Sequence, residues 1–267
     1  MEMLLCSWCH ANNQQGLSQC AVCGAPLNSD DRVSDSGFRE APKLRDMEEF
    51  TFSSSTLQIE GKYVPMVEIN LHPDDSVYFE QHTIMAKDAQ VRLTKKPLNG
   101  KRRAHGMPYS VLSASGPGFI SFSRDAPGEL VVMPIHEHTE LDVREHAFLL
   151  ASHTVDYQFV RIKGLANMVH GGNGMYLDQF TANGASGIVL IHGSGDVVQK
   201  TLAPGETIYV EAGKLLYKDS SVSLNTVQLP GINSGFMGNH VYVAELTGGP
   251  QGGRVGLQSA YHHSASE

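Results

Sequence analysis

All four cysteines of this 267-residue chain lie near its start, as two Cys-x-x-Cys pairs, Cys6/Cys9 and Cys20/Cys23, ten residues apart. A two-residue gap lets both sulfurs of a pair turn toward one ion. The stretch between the pairs is long enough for a hairpin that brings them together. Four thiolates then close a tetrahedron, which is the chemistry of structural Zn²⁺ and leaves no open position for a substrate. Iron in a rubredoxin-like site would satisfy the same donors. Free thiols or disulfides are the alternatives, and a reducing compartment disfavours the latter. Asn13 and Gly16 fall where the hairpin should turn. Gly24 follows Cys23, where a positive φ aims backbone amides at sulfur.

The 13 histidines offer a second kind of chemistry. His136 and His138 flank Glu137, and two residues at i and i+2 on a strand share a face. That is the start of a cupin-like metal set, with Asp142 as the nearest carboxylate and no late histidine after "PGETIY"; isolated surface histidines are the plainer reading. His105, His170 and His240 recur at similar offsets and form a three-imidazole set only if the fold brings them together. No nucleophile elbow, phosphate loop or dinucleotide fingerprint appears. The loop from Thr94 to Arg103 gathers Lys95, Lys96, Lys101, Arg102 and Arg103, read either as a solvated hairpin tip or as a patch for an anionic partner. The stretch from Pro230 to His240 places Ile232, Phe236 and Met237 in a glycine-rich loop, a contact tip for a subunit or a peripheral membrane surface.

The elements that must carry these residues read as β-structure. Short apolar runs such as "GELVVMPI", "GIVLIHG" and "HVYVAELTG" are separated by turn residues, and 27 glycines punctuate the chain. Sustained helical periodicity is scarce; "GLANMVHG" and "EHAFLLASH" are the two places where a helix is most readily drawn. Three segments align without gaps, Val77–Val91, Leu141–Val155 and Ile208–Val222, at offsets of 64 and 67 residues. Each has a charged residue at the same place (Glu80, Arg144, Glu211), then an apolar pair, then a closing valine. A hairpin pattern follows each, turning at Gly116, Gly184 or Gly248.

The expected organisation is a zinc ribbon over 1–28, a flexible polar linker over 29–49, three β-units (57–124, 125–193, 194–260) in one domain over 50–260, and a tail over 261–267. Three such units can close around a pseudo-threefold axis. The linker composition cannot bury enough apolar surface to order itself.

The repeats, with "LAPGETIYVEAGKLLYKDSSV" and "GRVGLQS", resemble the family named for altered inheritance of mitochondria protein 24, over about residues 50 to 260. Glycine is usual in that family near His82 and His146. The resemblance implies an all-β fold similar to the trp RNA-binding attenuation protein, of the double-stranded β-helix kind, and no catalytic motif. The first 27 residues resemble small bacterial zinc ribbons, whose second knuckle reads Cys-x-x-Cys-Gly-x-Pro-Leu, here Cys20 to Leu27. The spacing is also similar to that of Ran-binding-protein zinc fingers, but Leu4 replaces their tryptophan and His10-Ala11 their Thr-Phe pair. Ubiquitin binding therefore does not carry over.

A net charge of −8 is wrong for a general binder of nucleic acid, which needs Lys and Arg against phosphate. With no basic leader and no long apolar run, the chain reads as soluble and cytoplasmic. The reading that follows is a non-enzymatic scaffold or interaction protein, a structural zinc ribbon on an oligomerising or ligand-binding β-domain. A cupin-like metalloenzyme using His136 and His138 is the alternative, and RNA binding by fold analogy a second.

Overall fold

The computed structural model describes residues 3–6, 11–28, 33–43, 46–98, 103–104, 107–108, 110–161, 176–234 and 239–260. These residues form strands joined by turns, with two single 3-10 turns at Gln81–Thr83 and Ala212–Lys214. The "EHAFLLASH" segment is a strand at Phe148–Ser152, buried throughout. An apolar run buried on both faces carries no alternation, so sequence alone reads it equally well as a core helix. The other helix candidate lies outside the described residues.

Six strands recur in each unit, and the first unit has a short extra ladder of Arg103–Ala104 with Met107–Pro108. The first strands are Met66–Leu71, Gly128–Ile135 and Val197–Leu202; the second are Ser76–Glu80, Glu140–Arg144 and Thr207–Val210. After a bend come the third strands, Ile84–Lys87, Phe148–Ser152 and Leu215–Asp219, and the fourth, Arg92–Lys95, Val155–Arg161 and Ser223–Ser234. The fifth and sixth flank the anticipated glycine turns, but they do not form the expected hairpins: Val111–Ser115 and Gly118–Ser123, Tyr176–Ala182 and Gly187–Ser194, and Asn239–Thr247 and Gly253–Gln258. These two strands follow each other in sequence but diverge into different sheets, so they are not ladder partners. Glu49–Phe52 and Ser55–Glu60, which precede the six recurring strands, add two strands beside Met66–Leu71.

Within every unit the sixth strand lies between the first and the third, and the fifth between the second and the fourth. Two seams join the units. Leu150, Ala151 and Ser152 pair with Phe79, Tyr78 and Val77, and Tyr217, Lys218 and Asp219 pair with Val143, Asp142 and Leu141. Under the repeat alignment these registers are the same. The third strand of one unit thus extends the sheet of the unit before it.

The sheets shared in this way are covered on both sides, and their sequences say so. Ile188 to Ile191 is an unbroken apolar run and entirely buried, as expected of a strand with two covered faces. Met66–Leu71 lies outside any seam and alternates, with Val67, Ile69 and Leu71 inward and Glu68 and Asn70 outward. One core gathers Phe79, Phe122, Ile69, Leu150 and Leu190; another gathers Phe148, Tyr157, Phe180, Tyr78 and Leu216. Leu202, Val210, Leu246 and Val255 make a smaller third core. The Tyr217 ring packs against Gly256, where an added Cβ would stand 2.0 Å from the ring, so only glycine fits there.

The segment whose composition suggests a free linker is held in place over residues 33–43. Arg39 and Glu40 pair with Gln199 and Val198 at the edge of a sheet. Ala41 is buried in a core and its amide donates to the Val197 carbonyl. Lys43 makes a 2.5 Å ion pair with Glu129, and Lys200 donates to Ser36 O at 2.6 Å. A few ladder bonds and one small apolar residue order a segment too polar to form a core of its own, because the sheet edge supplies the partner.

Candidate functional site

Among the described residues, two places bring chemistry-bearing side chains together. The first is the cysteine cluster. Met3–Leu5 and Asn12–Gln14 form a small antiparallel ladder. Cys6 N donates to Ala11 O at 2.9 Å, closing the first knuckle inside that hairpin. In the second knuckle Gly24 N donates to Cys20 O at 2.9 Å, with Gly24 at φ +74° as the sequence anticipates. The sulfurs of Cys6, Cys20 and Cys23 lie within 4.8 Å of one another, an arrangement that can hold a metal ion. Cys9 lies outside the described residues.

Asn13 has a different place from the one its sequence position suggests. It stands on a strand rather than in the turn, which is formed around Gly16 (φ +95°). Its buried side chain ties the knuckles together: the carboxamide oxygen accepts from Ala21 N at 2.9 Å, and the nitrogen donates to Ala11 O at 2.8 Å and faces Cys20 Sγ at 3.5 Å. Val22 N also points at Cys20 Sγ, at 3.4 Å. N–H groups aimed at sulfur favour the thiolate, which is the metal-binding form.

The second place is where the units meet, at the bends between second and third strands. Glu80, Arg144 and Glu211 are the charged residues the repeat alignment singles out. Glu80 has a fully buried side chain paired with Arg124 at 2.5 Å. Arg124 reaches onward to His82 Nε2 at 3.0 Å and donates to the His146 carbonyl in the bend of the second unit. At the next junction Arg144 itself donates to the Gly213 carbonyl, at 2.6 Å. His146 and Gly213 are equivalent positions, so one backbone acceptor is reached by an arginine at both junctions, by different routes. Glu211 accepts from Gly213 N within its own bend. His146 takes φ +67°, a conformation that favours glycine, at a position where the resembled family usually has one.

Sequence reasoning marked Glu80 and Arg144 but not Arg124, which sits in a turn with no motif around it. Opposite charges at equivalent positions were the available signal, because a buried carboxylate in one unit demands a cation from elsewhere. A cleft of about 520 Å³ opens beside this cluster, lined by Glu60, His82, Thr83, Met85 and Asp125 among others.

Among the described residues the remaining candidates do not converge. His136 and His138 are exposed in a turn, with His138 at φ +68°, so the shared strand face required for a cupin set is absent. His136 Nδ1 contacts Ser186 Oγ at 3.1 Å. Asp142 points into the second seam and binds Lys218 at 2.6 Å. His105 and His170 lie outside the described residues, and His240 is placed only as a strand residue. Among the described residues the thiols are the one group that could hold a metal ion. Of the basic loop, Lys96 is not a free surface charge. It lies over the Tyr78 ring at 4.2 Å, and burial pulls its ammonium below the ordinary lysine range against the opposing Asp156 charge. Lys101, Arg102, Phe236 and Met237 lie outside the described residues.

The sequence model of the mitochondrial biogenesis AIM24 family matches residues 57–260. The chain belongs to that family. The AIM24 region therefore spans the repeated strands and excludes the cysteine cluster. The crystal structure of protein SPYM3_0169 from Streptococcus pyogenes is similar, with a TM-score of 0.59 at 19% identity, over 78% of this chain and 94% of that one. At that identity the likeness concerns the fold alone. No curated protein matches the sequence. The all-β expectation holds, and no helix among the described residues is long and apolar enough to cross a membrane.

Proposed function

We propose that this AIM24-family chain is a non-enzymatic scaffold or interaction protein of the cytoplasm, carrying a structural zinc ribbon on residues 1–28. The observation that carries the reading is the engagement of the charged side chains at the junctions. Arg124, held by Glu80, and Arg144 each reach across a junction to a backbone carbonyl of the next unit. Groups committed in this way serve assembly, and the thiols face one another rather than the cleft.

Zinc suits the thiol geometry. Zn–S bonds of about 2.3 Å in a tetrahedron place sulfurs roughly 3.8 Å apart, and Cys6 Sγ and Cys23 Sγ are 3.8 Å apart. Cys9 would supply the fourth thiolate. With four protein donors the ion has no open position; it stabilises a module too small for a core of its own.

Metal analysis of the purified full chain tests this. One zinc per chain is expected, lost in Cys6→Ser/Cys20→Ser and kept in His136→Ala/His138→Ala. Metal retained after the thiols are removed would place a centre in the β-domain and overturn the scaffold reading in favour of a metalloenzyme.

A further inference from the structure

The two seams leave a third one unmade. By the rule they follow, the third strand of the first unit, Ile84–Lys87, should extend a second strand, and the second strand of the third unit, Thr207–Val210, should receive a third strand. Neither has that partner. Ile84–Lys87 ends a five-stranded sheet and Thr207–Val210 ends a three-stranded one.

The residues on these edges resemble those of a joint. Met85 is equivalent to Leu149 and Leu216, which are both fully buried, yet it is 56% exposed. Tyr209 is equivalent to Tyr78 and Asp142, which are buried in the two seams, yet it is 59% exposed. Large apolar groups are thus kept at positions that are covered wherever a seam exists. The Ile84–Lys87 edge has a bulge at Met85, but the third strands that do form seams have the same one at Leu149 and Leu216, so it does not prevent pairing. Lysine on an edge strand commonly repels other chains, but Lys87 turns its ammonium inward onto Asp88 O and Val91 O at 3.1 and 2.9 Å. The strands are short, but each existing seam also rests on three residue pairs.

We propose that copies of this chain assemble head to tail, the Ile84–Lys87 edge of one pairing with the Thr207–Val210 edge of the next. This rests on the interaction-protein reading and names the partner as a second copy. Carrying the seam register over by the repeat alignment pairs Ala86 with Val210, Lys87 with Tyr209 and Asp88 with Ile208. The new strand would cover Met85 and the mouth of the neighbouring cleft. Such a contact joins two different surfaces, so it grows beyond a dimer into a closed ring or a filament.

Light scattering on the full chain under reducing conditions, over a range of concentrations, tests the proposal. The mass should rise above one chain. Met85→Lys and Tyr209→Lys, both at exposed positions, should each fall to the mass of a single chain with unchanged circular dichroism. An equimolar mixture of the two should return to twice that mass, because one intact edge of each kind remains. Hydrogen exchange on the unmodified protein gives a second readout: dilution should deprotect residues 84–88 and 207–210 together. A single-chain mass at every concentration, or variants that stay associated, would overturn head-to-tail pairing. Neither result bears on where the zinc is held, so the two readings fail separately.

Discussion

Replacing Arg124 by alanine is expected to lower the unfolding free energy by about 3–5 kcal/mol, the usual cost of leaving one member of a buried ion pair behind. The Glu80 side chain has no solvent exposure and that of Arg124 has 10%. Removing the guanidinium takes away the permanent charge that balances the buried Glu80 carboxylate, leaving the exposed His82 ring at 3.3 Å beside it, and the His146 carbonyl loses a donor at the same time. At about 2–4 °C per kcal/mol for a domain of this size, the melting temperature should fall by roughly 10 °C. Arg124→Lys should recover only part of this, since an ammonium cannot reproduce the planar fork that serves Glu80 and the carbonyl together. Adding Glu80→Gln to Arg124→Ala should recover more, because it removes the charge that the first change strands. Calorimetry of the three variants checks the ranking. A loss below about 1 kcal/mol for Arg124→Ala would mean that the junction is not held by this pair.

The second seam should show the same logic with a clearer contrast. Asp142 and Lys218 face each other across the ladder at 2.6 Å, and both are buried. Asp142 also accepts from Gln179 at 2.9 Å and Ser220 at 3.2 Å. Asp142→Leu alone should cost about 3–5 kcal/mol, because Lys218 is then buried without its counter-charge. Asp142→Leu with Lys218→Met should cost less than either single change. The protein already contains the apolar version, for the equivalent pair in the first seam is Tyr78 opposite Ala151. Denaturant unfolding of the two single variants and the double variant gives the coupling energy directly. Simple additivity would show that the ion pair does not act as a unit.

The architecture was legible where pattern and position coincide. Gapless alignment around Glu80, Arg144 and Glu211 located the bends, and glycine turns located the fifth and sixth strands. The seams could not be read, because pairing between units depends on edges meeting in space and leaves no mark in local periodicity. The two-faced burial they impose did leave one, the unbroken apolar runs at Ile188 and Phe148, and the latter is also what made a helix plausible.

Site residues divide in the same way. The cysteine spacing pointed to a metal ion, and three of the four sulfurs do meet. Asn13 lies in the same motif, but its role needs the fold, since a side chain that joins two knuckles is indistinguishable in sequence from a turn residue. Arg124 belongs to no motif, and only the burial of Glu80 calls for it. The anchoring of Arg39 to Lys43 was hidden for a related reason: composition reports what a segment can bury by itself, not what a sheet edge offers it.

Native-state hydrogen exchange followed across both seams tests most directly whether the three units act as one scaffold. The amides of residues 77–79, 141–143, 150–152 and 217–219 should exchange together and among the slowest in the chain, through a single global opening. Seam amides that exchange well ahead of the unit interiors, with one unit opening while the others stay closed, would contradict the account.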